Sequence, residues 1–516
     1  MLTTLLIVVP MAAGLFLWLV PLPREYTGAF AVLAAVVEVG IWIRAAIRFD
    51  FSGGLQFSAH RNWFADLGVS YHVGFYGFSL WLTGLTVVVC ACAIGYGVWA
   101  GRERARAYFG LMLFLTGSIV GVFASQDLML FYAFFEAMLI PLYVLVGVWG
   151  GPNRARATLM FVIYTMVGSL LMLASVVAFG ISQHTFSLVD SGTSGNDWVF
   201  LGFAVAFAVK APLFPFHGWL RQAYTESSPE VAAVLSGVVS KAAVFGFIMI
   251  VLPHFPGPVH DFRTTILVLA AIGLVYGSVL AFRQPDIRGV IAYSSLGQMS
   301  LIVLGIFASS SLGIDGAVLQ SVNHGLVSAA MFLLAGMVER QWGTGVFARL
   351  GGAARGRPVL ATLLLVAGMF TLAVPGSTNF AGEFLILAGV FRQGWGYAAV
   401  GAVAMVLAAM YTLRVISAVL HDRRGDSVDG GSPDLRFGQL VVVVPLVGCL
   451  LALSVWPRAV SGHSFPSSHQ AVKNIEHALC TGKSSTIALT PGQLGYQHVV
   501  CTLVGVPPKS SCTCSS

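Results

Sequence analysis

A chain of 516 residues that is 57% hydrophobic and only 9% charged lies far from the composition of a soluble domain, where about a quarter of residues are charged. It is not an ordinary water-soluble enzyme. The formal net charge of +7 falls in loops between apolar runs, which speaks for interfacial anchoring and against nucleic-acid binding. Apolar runs of about 20 residues, long enough to cross a bilayer, follow one another near 2–21, 27–46, 78–99, 107–125, 128–148, 157–182, 199–217, 230–251, 264–283, 288–307, 313–338, 358–374 (continuing brokenly to 392), 396–420 and 437–457. The expected fold is therefore all-α, a polytopic membrane protein of about fourteen transmembrane helices. The first run has no basic n-region and no small-residue cleavage site, so it reads as an anchor and not as a cleaved signal peptide.

Arginine sets the expected orientation, because positive charge is retained on the cytoplasmic side during insertion. Loops after odd-numbered spans carry Arg24, then Arg102, Arg104 and Arg106, then Arg154 and Arg156, Arg221, Arg283, the group Arg340, Arg349, Arg355 and Arg357, and finally Arg423, Arg424 and Arg436. The opposite loops hold little beyond Arg48, Arg61, Arg263 and Arg392. Both termini then face away from the cytoplasm. The chain divides into three N-terminal spans (1–106), a first five-helix unit (107–252), a second five-helix unit (263–421), a last span (437–457) and a Ser- and Cys-rich tail (459–516) expected to be disordered.

Within the spans, charged residues are few, and each needs a reason. Glu38 lies in the second span with Arg44 nearby, which favours a structural or interfacial role. Asp127 and Asp286 stand at helix starts, where a carboxylate satisfies exposed N–H groups. Glu136 lies within the fifth span. Lys210 and Lys241 are the only lysines before the tail, while the loops use arginine throughout. Arginine holds its proton in proteins, whereas a lysine can give it up. Lysine is thus the choice where a proton must come and go. A lysine snorkelling to the interface or locked in a static ion pair is the simpler alternative. Pro212 and Pro215 break the seventh span beside Lys210, and Pro375–Gly376 break the twelfth close to Glu383. Interrupted helices at membrane depth survive only where protein or water satisfies their free backbone groups. Their matching places in spans 4–8 and 9–13 suggest two inverted five-helix repeats with broken helices 7 and 12.

The segments FFEAMLIPLY, VKAPLFPFHGWL, LSGVVSKAAVFG, IAYSSLGQMS, VNHGLVSAAMFLLAG and VPGSTNFAGEFL resemble the antiporter-like membrane subunits of the proton-pumping NADH:quinone oxidoreductase, complex I, and among them chain M. The resemblance spans roughly residues 75 to 420. It implies a proton-translocating subunit driven by quinone reduction elsewhere, in the inner (plasma) membrane of a bacterium, beside chains L and N and smaller helical subunits. Carried over by position, it makes Glu136 the modulating carboxylate and Lys210 its partner. Lys241 becomes the central relay lysine, His324 a member of the path, and Glu383 the exit-side group. His217, after the second proline, is either a relay member or a helix-end residue. A multi-subunit Na+/H+ antiporter or a membrane-bound hydrogenase is the alternative from the same module, and a structural scaffold subunit is the alternative of another class.

Three motifs depart from the family pattern. Gln298 stands where the family commonly has histidine, so the path there is expected to rely on water. The usual W-L-P-D-A-H reads WLRQAY, placing Arg221, Gln222 and Tyr224 in the loop after the break, and the usual G-[VI]-D-G reads GFYG, with Phe75 and Tyr76. The tail holds Cys480, Cys501, Cys512 and Cys514, a spacing unsuited to zinc, and its SGHSFPSSHQA lacks the companion blocks of the membrane acid phosphatases it partly resembles. Cys90 and Cys92 are expected to pack. Neither an iron–sulfur cysteine spacing nor a GxGxxG fingerprint is present, and no cofactor or metal is expected on this chain.

Overall fold

The computed structural model describes residues 1–64, 68–429, 431–457 and 459–460. The expected tail, including its four cysteines and the SGHSFPSSHQA stretch, lies outside the described residues except for Ala459 and Val460. Two helices, α1 (Leu2–Leu19) and α2 (Arg24–Arg48), lead into an antiparallel hairpin of β1 (Gln56–Phe64) and β2 (Val69–Phe75). Helices α3 (Gly77–Ala100), α4 (Ala105–Ala124), α5 (Leu128–Trp149) and α6 (Arg154–Gln183) follow. The broken seventh run is α7 (Asp197–Lys210) and α8 (Leu220–Glu226). Next come α9 (Pro229–His254), α10 (Pro256–Arg283), α11 (Ile287–Phe307) and α12 (Ser311–Trp342). The short α13 (Phe347–Leu350) precedes the broken twelfth run, α14 (Pro358–Thr371) and α15 (Thr378–Phe391). The chain closes with α16 (Trp395–Leu420) and α17 (Phe437–Val455).

Among the described residues, 12 helices are long and apolar enough to cross a membrane. The two remaining expected runs are the broken pairs. Their interruptions fall where the proline content demands: α7 stops at Lys210, and Pro212, the cis-linked Pro215 and the turns around them separate it from α8. At the other break Gly376 adopts a φ of 96°, a conformation that glycine takes without a Cβ clash, and Ser377 caps α15 by accepting from Phe380 N at 3.2 Å.

The helices sort into a core and a lipid-facing periphery. Every residue in the most apolar stretch of α12 is buried, against 22% for α2. Helices α3, α4, α9 and α11 are nearly as enclosed as α12. Because lipid is as apolar as leucine, such a core is held by close packing across small residues more than by hydrophobic transfer. A Cβ on Gly389 would fall 2.4 Å from Gly313 N, and one on Gly316 would fall 2.6 Å from Ile386 N, so glycine brings α12 and α15 into backbone contact.

The hairpin is an addition to the all-helical expectation. Val69, Val73 and Phe75 are buried, while the paired residues of β1 lie mostly toward solvent. Ser70 on β2 donates from N (3.0 Å) and Oγ (3.1 Å) to Asp127 Oδ2, while Asp127 Oδ1 accepts from Met129 N and Leu130 N. Asp127 thus caps α5, as expected, and ties it to the hairpin as well. Asp286 caps α11 by accepting from Gly289 N at 2.7 Å.

Candidate functional site

Helix α5 is loosened where Glu136 sits. Pro141 has no N–H to donate to the Ala137 carbonyl, and the helical run is interrupted at Met138. Glu136 is half-buried in that loosened turn. Lys210 is the last residue of α7 and is 3% exposed, so its ammonium stands at the negative end of a helix dipole, which favours a cation. The expected Glu136–Lys210 pair is not a contact ion pair, since none within 4.0 Å joins the two. Instead the Lys210 ammonium lies 4.8 Å from the centroid of the Phe135 ring, next to Glu136 in sequence, and Glu136 acts on it through space. The face of that ring stabilises the cation.

Lys241 is fully buried on α9 between two π-helical turns, Leu235–Val239 and Phe247–Val251. The widened ladder leaves the Ser236 carbonyl able to accept from Lys241 Nζ at 2.7 Å and from Ser240 Oγ at 3.0 Å. Lys241 Nζ also lies 2.8 Å from His324 Nδ1 on α12 and 3.3 Å from Ser240 Oγ. Two basic nitrogens at hydrogen-bond distance share one proton between them. Below them Ser236, Ser295 and Ser328 meet from α9, α11 and α12, with Oγ–Oγ separations of 2.6 and 2.7 Å from Ser236.

The third station surrounds Glu383 on α15, 3% exposed. Gln298 on α11 donates its amide to Glu383 Oε1 at 2.8 Å, so this departure from the family pattern engages the carboxylate directly where water was expected. Gln320 on α12 donates to Gln298 Oε1 at 2.9 Å and to Glu383 Oε1 at 3.5 Å. Sequence reading missed Gln320, although it precedes His324 by four residues and so shares its helix face. Both amides act on Oε1, which leaves Oε2 open to a proton. Asn323 fixes the start of α15 by donating Nδ2 to Thr378 O at 2.8 Å and accepting from Thr378 Oγ1 at 2.9 Å.

The other singled-out residues lie elsewhere. His217 stacks on Phe214 at 5.8 Å and meets Tyr276 edge-on at 5.1 Å, with its Nδ1 buried and unpartnered. No hydrogen bond links it to the lysines among the described residues, and its surroundings are those of a packed helix-end residue. Glu38 is not paired with Arg44, which is exposed; it is 2% exposed itself and neither carboxylate oxygen has a partner. Arg221 bonds Gln284 Oε1 at 2.8 Å and Asp286 Oδ2 at 3.2 Å, so the altered loop docks α8 onto the start of α11. Tyr76 enters the capping box of α3 with Ser79. Cys90 and Cys92 are buried in packing, as expected. Among the described residues, no three His, Cys, Asp or Glu side chains are grouped to hold a metal ion.

The sequence and the bundle as a whole have counterparts among known proteins. Residues 125–410 match the family described as NADH:quinone oxidoreductase/Mrp antiporter, transmembrane. The chain belongs to that family. It is 34% identical over 503 residues to NADH-quinone oxidoreductase subunit M of Mycobacterium tuberculosis, covering 88% of this chain and 90% of that protein. A subunit of the respiratory complex I from Thermus thermophilus superposes with a TM-score of 0.85 at 30% identity, covering 92% of this chain and 100% of that one. A chain of the Mrp complex from Dietzia sp. shares the fold with a TM-score of 0.78 at 21% identity, covering 92% and 98%. All five relay positions expected from sequence, Glu136, Lys210, Lys241, His324 and Glu383, fall in the matched segment, as do Gln298 and Gln320.

Proposed function

We infer that this chain is the subunit M-type, proton-translocating membrane component of a bacterial NADH:quinone oxidoreductase. It lies in the plasma membrane beside other membrane subunits of the complex, chains L and N among them, with each broken pair completing one of fourteen crossings. Electron transfer takes place in other subunits. The observation that carries the reading is the 2.8 Å contact between Lys241 Nζ and His324 Nδ1. A buried ammonium that needed only fixed charge compensation would face a carboxylate. Here it faces a base able to take its proton.

The chain's own residues define the steps. Neutralising or screening Glu136 removes the field that favours Lys210 as a cation, and its proton moves inward. Lys241 receives a proton and holds it against the Ser236 carbonyl. His324 accepts at Nδ1 and releases the proton on Nε2, then resets its tautomer. Glu383 takes the proton at Oε2 while Gln298 and Gln320 hold Oε1, and it releases the proton on the outer side.

The test is proton pumping by the intact complex in reconstituted membranes, with and without sodium. Lys241→Arg keeps the charge but not the ability to let the proton go, and we expect ΔpH formation per NADH oxidised to fall about tenfold or more, in line with losing one positioned proton-transfer group. Wild-type pumping by that variant overturns the relay. Sodium movement in place of acidification returns the chain to the antiporter alternative.

A further inference from the structure

His324 and Glu383 do not touch, and the space between them is divided. His324 lines a small cavity of about 30 Å³, room for a water or two, whose polar lining includes Ser294, Ser328, Asn379 and Thr412. Glu383 lines a second, smaller cavity of about 10 Å³. Two residues line both, Gln298 and Tyr411, and they form the wall. In the first cavity Asn379 Oδ1 and Thr412 Oγ1 are buried without a partner, the kind of polar atom that ordered water satisfies. Both amide functions of Gln298 are committed, one to Glu383 and one to Gln320, and an amide carries no transferable proton. Tyr411 on α16 is 3% exposed, and its hydroxyl lies 2.9 Å from Ser294 Oγ.

We propose that Tyr411, hydrogen-bonded to Ser294, carries the proton across the wall between the His324 cavity and the Glu383 cavity. The hydroxyl oxygen accepts a proton from water or from Ser294 on the first side as its own O–H proton leaves to water on the second. One O–H bond forms and one breaks, no electron moves, and rotation about the C–O bond resets the group. This hydroxyl takes over the transfer that the amide of Gln298 is chemically unable to make. The proposal rests on the proton-relay reading above.

Tyr411→Phe keeps the ring and removes the hydroxyl. In membranes containing the assembled complex, quinone reduction by NADH and ΔpH formation are measured together. We expect protons moved per NADH to fall about tenfold, water beside the ring bypassing part of the roughly hundredfold contribution of a positioned proton-transfer group. Ser294→Ala, which leaves the tyrosine hydroxyl in place, gives a smaller loss and carries the test if the phenylalanine variant does not assemble. A wild-type ratio in both variants overturns the proposal, and so does a parallel fall of assembly and quinone reduction at an unchanged ratio, the signature of a packing role. Glu383→Gln separates the two readings. If it abolishes pumping while Tyr411→Phe does not, only the tyrosine step fails; if all three variants pump normally, the relay reading fails with it.

Discussion

At the scale of single residues, the two lysines are held in different ways, and that difference sets what each substitution does. Lys210 rests on an aromatic face at a helix C-terminus, with Glu136 acting on it through space; Lys241 is wired into hydrogen bonds with Ser236 and His324. Glu136→Gln fills the same volume without the charge, and we expect pumping to fall several-fold with normal assembly, measured as ΔpH formation at matched quinone-reduction rates. Lys210→Arg keeps part of the activity because its fixed charge still answers Glu136. The lysines, Glu136 and Glu383 were legible in the sequence, since a charge in an apolar run is conspicuous and its cost demands a use. Gln320 was not, because a neutral amide in a helix carries no such cost until its partners are known. Gln298 was noticed only by comparison with a family pattern, and its direct bond to Glu383 was beyond what a one-dimensional reading supplies.

The elements show the same division between what residue type dictates and what packing decides. Helix spans and both breaks followed from apolar length and proline placement, but the π-helical turns around Lys241 left no trace in LSGVVSKAAVFG or in the FIMIV that follows it, since no residue there requires them. The hairpin was missed because its alternation is short and lies between long apolar runs. Where α12 meets α15, a Cβ on Gly382 would fall 2.5 Å from Gln320 Oε1 and 3.2 Å from its Cβ. Gly382→Ala should therefore displace the amide from Glu383 at a cost of about 1–3 kcal/mol for overpacking, lowering both the thermal stability of the complex and its proton yield per NADH. In the hairpin, burial and then repulsion from His60 push the His72 imidazole below the ordinary histidine value of about 6.5. The open hairpin thus binds protons more readily than the closed one, so its stability is complete above that value and declines as the pH falls through the lowered one. The protection factors of the β2 amides, exchange rates corrected for the intrinsic slowing at lower pH, should fall on acidification, and His72→Asn should flatten that dependence.

For the whole molecule, the proposed fourteen-crossing arrangement would put the arginine-bearing loops and the hairpin on opposite faces of the membrane. Cysteines introduced in the 421–436 loop should react with an impermeant reagent from the cytoplasmic side, and cysteines in 56–64 from the other; labelling of both from one side contradicts the fourteen-crossing arrangement. Between those faces the pumped ion meets a narrow station. Lys241 and His324 stand 2.8 Å apart in the buried centre of the bundle. A second proton there would place two positive charges in contact, repelling by about 6 kcal/mol at an effective dielectric constant near 20. That is more than a membrane potential of 200 mV supplies to one charge, about 4.6 kcal/mol at roughly 2.3 kcal/mol per 100 mV. On the relay reading the station works as a turnstile that admits one passenger at a time, and a membrane potential of that size does not supply enough energy to crowd a second one in.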